Sequence, residues 1–295
     1  MAVPIILIHS GNSDYLAYSI TQIKQSCPDS EIYLLGDGAT KHFSMLINHR
    51  YLKNYFRSAE EFAPHFFNRS TNGADYELFC IQRWFILLEF LEANNIESCI
   101  YLDSDVLPYT DLDKLAPKLS RWQMTTLYKS PHTNFIHSRD ILAKFCAFIK
   151  FHYSTPEGKT LLEQYYREHY AIFADRGGIS DMTFFLMFRR RHPDLVGNIC
   201  PPGPEGAFDI TMEEAQGFVM ENKVKKISWQ GNTPYGTPLN GSAPVPFNTL
   251  HFQGPNKGLI APFSRPMSLG RKAMVSTLKA IYIAQRVIAK LKKMV

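Results

Sequence analysis

Two aspartates one residue apart, Asp103 and Asp105, follow directly on the apolar run Cys99-Ile100-Tyr101-Leu102. On an extended backbone the side chains at i and i+2 point the same way, so both carboxylates can face one divalent cation or its bound phosphates. Paired acids at the end of a buried strand need something to neutralise them. The segment His251-Phe252-Gln253-Gly254-Pro255-Asn256-Lys257 offers it. It carries an imidazole able to ligate Mn²⁺, a glycine that lets backbone approach an anion, and a lysine that can neutralise diphosphate oxygens. Taken singly, D-x-D is also how a solvated strand end reads, and a lone histidine or lysine in a loop is ordinary surface. Joined, they describe a site for a metal and a diphosphate.

The elements that must position these groups are short. Ile5 to His9 and Ile32 to Leu35 read as buried strands, with a helix between them near Tyr15 to Gln25. Asp75 to Asn95 reads as a helix that Asp75 can cap, and it leads into the strand ending at Asp103. A strand near Met124 to Leu127, a segment Asn134-Phe135-Ile136 and helices near 140–152 and 161–169 follow. Strands alternating with helices predict an α/β fold with a mostly parallel central sheet flanked by helices, whose ligands sit beyond the carboxyl ends of the strands. His9, Asn12 and Asp37 stand at the ends of the first two strands, where a nucleotide base and ribose would dock; as turn residues capping helices they are equally well explained. Prolines and glycines concentrate in residues 197–266, which read as mostly loop with short strands, and so much irregular chain in one domain usually serves a site.

Composition narrows the classes. The 295 residues, 45% of them hydrophobic, are ample for a packed core. Five cysteines without a C-x-x-C pair suggest neither a disulfide framework nor a thiolate zinc site. The start Met1-Ala2-Val3-Pro4 has no basic leader, and no run of about 18 apolar residues follows. The expected location is therefore the cytoplasm. The net charge of +5 is unevenly placed, because seven Lys or Arg and no acid fall between Arg271 and Lys293. Without this tail the body is close to neutral, which argues against nucleic acid as a partner. At 100° per residue Lys272, Lys279, Arg286, Lys290 and Lys293 share one face, and Met274, Leu278, Ile281, Ala284, Ile288, Leu291 and Val295 share the other. Such a basic amphipathic helix suits the anionic inner surface of a membrane, although a helix packed on the body with its lysines in solvent has the same pattern. The expected division is a catalytic domain over 1–265 and a tail over 266–295. Chemistry on a soluble donor is expected to be independent of the tail, which offers neither a ligand nor an acid.

With these motifs in view, the chain resembles the retaining glycosyltransferases of GT-A fold related to glycogenin and the bacterial lipooligosaccharide galactosyltransferases. The likeness rests on the D-x-D of Asp103 and Asp105 and on the H-x-x-G-x-x-K of His251, Gly254 and Lys257. It implies a hexosyltransferase that takes a nucleotide-diphosphate sugar, a UDP-sugar by preference, to a glycan or glycolipid hydroxyl. It further implies Mn²⁺ or Mg²⁺ held by Asp103, Asp105 and His251, and donor contacts from His9, Asn12, Asp37, Arg83, Ser104, Gly254 and Lys257. Asp181 looks like the first aspartate of the family's D-Q motif near the reacting carbon, and Asn134 like the asparagine of its N-x-G strand. Met182 stands where that family commonly has glutamine, and no glycine follows Asn134 at the expected place. Two rival readings are an inactive, membrane-associated sugar-binding relative and a phosphatase whose D-x-D opens its domain. Against the latter, about 100 residues precede the motif here.

Overall fold

Short buried strands alternate with helices, as the periodicity predicts. In the computed structural model, which describes residues 2–171, 177–200, 202–266 and 269–291, the chain begins β1 (Ile5–Ile8), α1 (Leu16–Ser26), β2 (Ile32–Gly36), β3 (Asn48–Tyr51), α2 (Arg57–Phe62), α3 (Ala74–Ala93), β4 (Cys99–Leu102) and β5 (Val106–Pro108). It continues through α4 (Leu112–Leu115), β6 (Met124–Thr126), β7 (Thr133–Ile136), α5 (Arg139–Ser154), α6 (Pro156–His169), α7 (Asp181–Arg191) and β8 (Val196–Asn198). Then come β9 (Ala207–Phe208), β10 (Met220–Glu221), β11 (Val224–Lys225), β12 (Ile227–Gln230), β13 (Thr233–Gly236), β14 (Val245–His251), α8 (Ile260–Phe263) and α9 (Leu269–Leu291). The central sheet is mostly parallel and flanked by helices. The chain divides into two compact units, the first made of Met1–Arg50, Ile100–Leu119 and Ile199–Val295, the second of Tyr51–Cys99 and Ser120–Asn198.

In the first unit the strands run in the order β3-β2-β1-β4. β1 is buried throughout because it has neighbours on both edges, pairing in parallel with β2 (Leu7 opposite Leu34) and with β4 (Ile6 opposite Tyr101). A second group of strands has the order β12-β13-β14-β5, antiparallel, with β9 added in parallel to β14. The segment expected to be mostly loop with short strands contributes β9 to β14 among its described residues. Its prolines and glycines bracket these strands rather than abolish them, and Pro234 and Pro246 are accommodated within β13 and β14. Helix α1 turns a polar edge toward β5: Ser19 Oγ donates to the Val106 carbonyl (2.9 Å), Gln22 Nε2 to Pro108 O (2.8 Å) and Ser26 Oγ to the same oxygen (2.6 Å). Those bonds satisfy buried carbonyls beside the motif that carries Asp105.

In the second unit β6 pairs in parallel with β8 and antiparallel with β7. The core is aromatic: Trp84 meets Phe185 edge-on at 4.7 Å between centroids, Phe185 lies 4.1 Å from Phe145, and Phe62 stacks on Phe85 at 5.0 Å. Helix α3 starts at Ala74 with Gly73 as its N-cap, so Asp75 sits inside the first turn and favours the helix dipole instead of capping it.

Helix α9 falls within the first unit and packs on α1. Val275 and Leu278 are buried there, and Lys279 Nζ lies 5.3 Å from the centre of the Tyr18 ring. Leu278, on the apolar face read from the sequence, thus packs on the body, as in the alternative reading of a helix that rests there. Ile283, Val287, Ile288 and Leu291 remain exposed. Lys293 and Val295 lie outside the described residues, as does the side chain of Lys290. Among the described residues no helix is long and apolar enough to cross a membrane.

Candidate functional site

β4 ends at Leu102 and β5 begins at Val106, so Asp103-Ser104-Asp105 bridges two buried strands. β5 then pairs with β14 in a register that sets Val106 opposite His251, and the Phe252 N–H donates to the Asp105 carbonyl (3.0 Å). Backbone pairing alone thereby carries the imidazole to the carboxylate. His251 Nε2 is 3.3 Å from Asp105 Oδ1, and Lys257 Nζ is 3.1 Å from Asp105 Oδ2. One ligand atom each from Asp103, Asp105 and His251 lies within 4.8 Å of the others. Two carboxylates and an imidazole are a donor set suited to Mn²⁺ or Mg²⁺, so the residues fit the metal that the motif implies.

The groups around the ligands fix their orientation. His251 Nδ1 faces the Ile210 carbonyl at 2.6 Å, which can only accept, so Nδ1 carries its proton there and Nε2 is the atom aimed at the aspartates. The His251 N–H donates to Asp209 Oδ2 (3.0 Å). Asp209 Oδ1 in turn receives Lys225 Nζ at 2.6 Å, and that ammonium also donates to Thr211 O (2.6 Å) and Gln216 Oε1 (2.9 Å). Asp209 and Lys225 have fully buried side chains. Burial pushes the Asp209 carboxyl up, while Lys225 and the His251 N–H oppose that rise. On the other side of the site, the Tyr101 hydroxyl donates to Asp103 Oδ1 (2.7 Å), and Lys257 lies 5.2 Å from the centre of the Tyr15 ring.

Electrostatics concentrate on Asp105. Burial would raise its pKa, but His251 and Lys257 together hold it well below the usual carboxylate range. The partner shift is reciprocal: burial alone would lower the imidazole, yet Asp105, with Asp103 behind it, holds His251 up to about 9. His9 goes the other way, lowered to about 4 by burial and by Lys257, and is neutral. Its Nδ1 pairs with Ser104 Oγ (2.9 Å) and its Nε2 with Ser13 Oγ (3.3 Å), which ties the first strand to the D-x-D turn.

No family model and no curated protein matches the chain. Among solved structures it is similar to galactosyltransferase LgtC in complex with donor and acceptor sugar analogues, at 14% identity over 96% of both chains with a TM-score of 0.44. An active-site mutant of LgtC is similar at 16% identity over 62% of this chain and 70% of that one, TM-score 0.36. A cytidylyltransferase from Leptospira borgpetersenii serovar Hardjo-bovis is similar at 12% identity over 66% and 97%, TM-score 0.33. These likenesses are distant, and what the site can do follows from its own residues.

The remaining sequence candidates have well-defined surroundings. Asp37 is heavily engaged: Oδ2 accepts from the Gly11 N–H (2.6 Å), Oδ1 from the Ala39 N–H (2.9 Å), and with Thr40 it forms a capping box on the turn Gly38–Met45. Asn12 Nδ2 donates to Gln285 Oε1 at 2.7 Å, while Asn12 Oδ1 is buried without a hydrogen bond. Gly254 has φ +57° and open space where a Cβ would stand, so backbone conformation accounts for this glycine. In the second unit Asp181 begins α7, and its Oδ2 accepts from Arg83 Nη2 (2.5 Å), Arg83 Nε (3.2 Å) and Trp84 Nε1 (3.1 Å). Asn134, on β7, is fully buried, and neither of its amide atoms has a hydrogen bond.

Sequence reasoning did not single out Ile210, Asp209, Lys225, Tyr101, Trp84 or Gln285. The adjacency of Trp84 to Arg83 and of Tyr101 to the D-x-D were usable signals; a buried Lys–Asp pair in irregular chain leaves none.

Two outcomes follow from this geometry. Lys225→Met strands Asp209 as an unpaired buried charge and should destabilise the protein by about 3–5 kcal/mol, read as a shifted denaturant midpoint. Because His251 is protonated at neutral pH, a cation taken up at Nε2 must displace that proton. Calorimetric titration with Mn²⁺ in buffers of different ionisation enthalpy should show release of about one proton. Affinity should rise by about tenfold per pH unit up to about pH 9 and level off above it; pH-independent affinity would remove His251 from the ligand set.

Proposed function

We propose that this chain is a metal-dependent glycosyltransferase of GT-A fold that moves a hexose from a UDP-sugar to a glycan or glycolipid hydroxyl with retention. The observation that carries the reading is the convergence of Asp103, Asp105 and His251 on one point, with Lys257 on the same carboxylate. Asp103, Asp105 and His251 would hold Mn²⁺ or Mg²⁺, which supplies Lewis-acid charge for a diphosphate leaving group. Lys257, which lies on the Asp105 carboxylate, would add fixed positive charge where negative charge grows as the bond from sugar to phosphate breaks. His9, held neutral, and Ser104, together with Asn12 and Asp37, line the nucleoside end of the donor in this reading.

With retention, the acceptor oxygen bonds to the sugar carbon on the face that the diphosphate leaves. The hydroxyl proton passes to the departing phosphate oxygen. Asp181, oriented by Arg83 and Trp84, is assigned to balance positive charge on the ring, and the unpaired amide of Asn134 to sugar hydroxyls. These two roles rest on the surroundings of each residue within the second unit. The exposed apolar residues Ile283, Val287, Ile288 and Leu291, beside Lys272 and Arg286, support peripheral binding to an anionic membrane on its cytoplasmic face.

Screening nucleotide sugars for Mn²⁺-dependent hydrolysis tests the reaction class. Asp105→Ala and His251→Ala should each abolish turnover while the protein stays folded. Lys257→Ala should lower kcat by about 10²-fold, the worth of one aimed charge; an unchanged kcat would leave the lysine a surface residue. For the membrane claim, sedimentation with anionic vesicles should be lost on Ile283→Asp/Val287→Asp and should weaken at high salt, since the attraction is screened.

A further inference from the structure

Helix α9 does more than rest on the body: it reaches the loop after β1 and also contacts the turn Gly38–Met45 that Asp37 caps. Those are the two loops assigned above to the nucleoside. The contact to the first loop is specific. Gln285, half-buried on α9, accepts a hydrogen bond from Asn12 Nδ2 at 2.7 Å, across almost the whole length of the chain. This leaves the other end of the Asn12 amide, Oδ1, buried with no hydrogen-bond partner. A free asparagine in a polar loop samples several rotamers, and fixing one end of its amide removes that freedom before a ligand arrives.

The helix is anchored well enough to act as a fixed wall. Val275 and Leu278 are buried under it, Lys279 Nζ reaches the Tyr18 hydroxyl (3.4 Å) and lies over its ring, and Gln25 Nε2 donates to the Pro266 carbonyl at the entry to the helix (3.4 Å). Gln285 lies two turns beyond Leu278, on the same side of the helix as the buried residues. Lys279 and Gln285 therefore tether α9 to both ends of the segment that runs from the first strand's loop into α1.

We propose that α9 forms part of the donor pocket and that Gln285 is a positioning residue, holding the Asn12 amide in the orientation that receives the nucleoside. The proposal rests on the reading of Asn12 as a donor contact. It replaces the expectation that chemistry on a soluble donor is independent of the tail, and it makes the membrane-facing element and the nucleotide-facing element one and the same helix.

The test uses the full-length protein with Mn²⁺ and UDP as the probe, measured by calorimetry. Gln285→Ala keeps a strong helix former on α9 and should leave the melting temperature close to that of wild type. It should weaken UDP binding by about five- to tenfold, the usual worth of one neutral hydrogen bond. In an Asn12→Ala background the same substitution should have no further effect, because its action runs through the amide. Unchanged affinity in Gln285→Ala overturns the proposal. So does full additivity with Asn12→Ala, which would mean that the helix acts by a route other than Asn12. Failure of the wild-type protein to bind UDP in the presence of Mn²⁺ would instead remove the glycosyltransferase reading, and the proposal with it.

Discussion

The antiparallel pairing of β5 with β14 is the constraint on which the chemistry of this protein depends. Asp105 is the last residue before β5, and His251 is the last residue of β14, so the ladder that sets His251 opposite Val106 brings the imidazole to the D-x-D turn. A slip of one residue would turn His251 to the opposite face of its strand and dissolve the ligand set. The register is guarded from both sides: α1 satisfies the carbonyls of Val106 and Pro108, and the strap Asp209–Met212 bonds along β14, with the Asp209 N–H on Thr249 O and the Met212 N–H on His251 O.

This geometry makes the acids tolerable. Burying a carboxylate is costly unless charge and hydrogen bonds compensate. Asp105 is compensated twice over, by His251 and Lys257, and Asp209 by Lys225 with the His251 N–H. The two buried acids share His251 between them, one through its ring and the other through its backbone. The consequence is a chain of charges from Lys225 to Lys257 in which each member fixes the next, and in which a cation entering at Asp105 would take over the work of a proton and of one lysine.

Much of this was legible in the sequence, and the reasons for success and failure differ by residue. The strands β1, β2 and β4 are short apolar runs, and the D-x-D and H-x-x-G-x-x-K patterns are local, so reading along the chain finds them. Asp209 and Lys225 are not legible: they act through long-range hydrogen bonds inside a segment whose prolines and glycines suggested loop. For α9 both a membrane-facing and a body-packed helix stayed open, because helical periodicity says which residues share a side and not which side is taken. Val275 and Leu278 turn inward onto α1, and Ile283 and Val287 are left outside. The link from Asn12 to Gln285 joins opposite ends of the chain, where no spacing rule reaches.

The split origin of the ligand set bears on how the protein is made. Synthesis runs from the N-terminus, so Asp103 and Asp105 leave the ribosome well before β14 exists. Until then β5 is an open edge beside two uncompensated acids, and neither the imidazole nor Lys257 is there to meet them. The cluster that could hold a cation is thus completed late in the life of the nascent chain, with closure of the last long strand. A fragment cut short of β14 would not be a smaller version of the protein but a chain with an unpaired strand edge, open to pairing with its own kind.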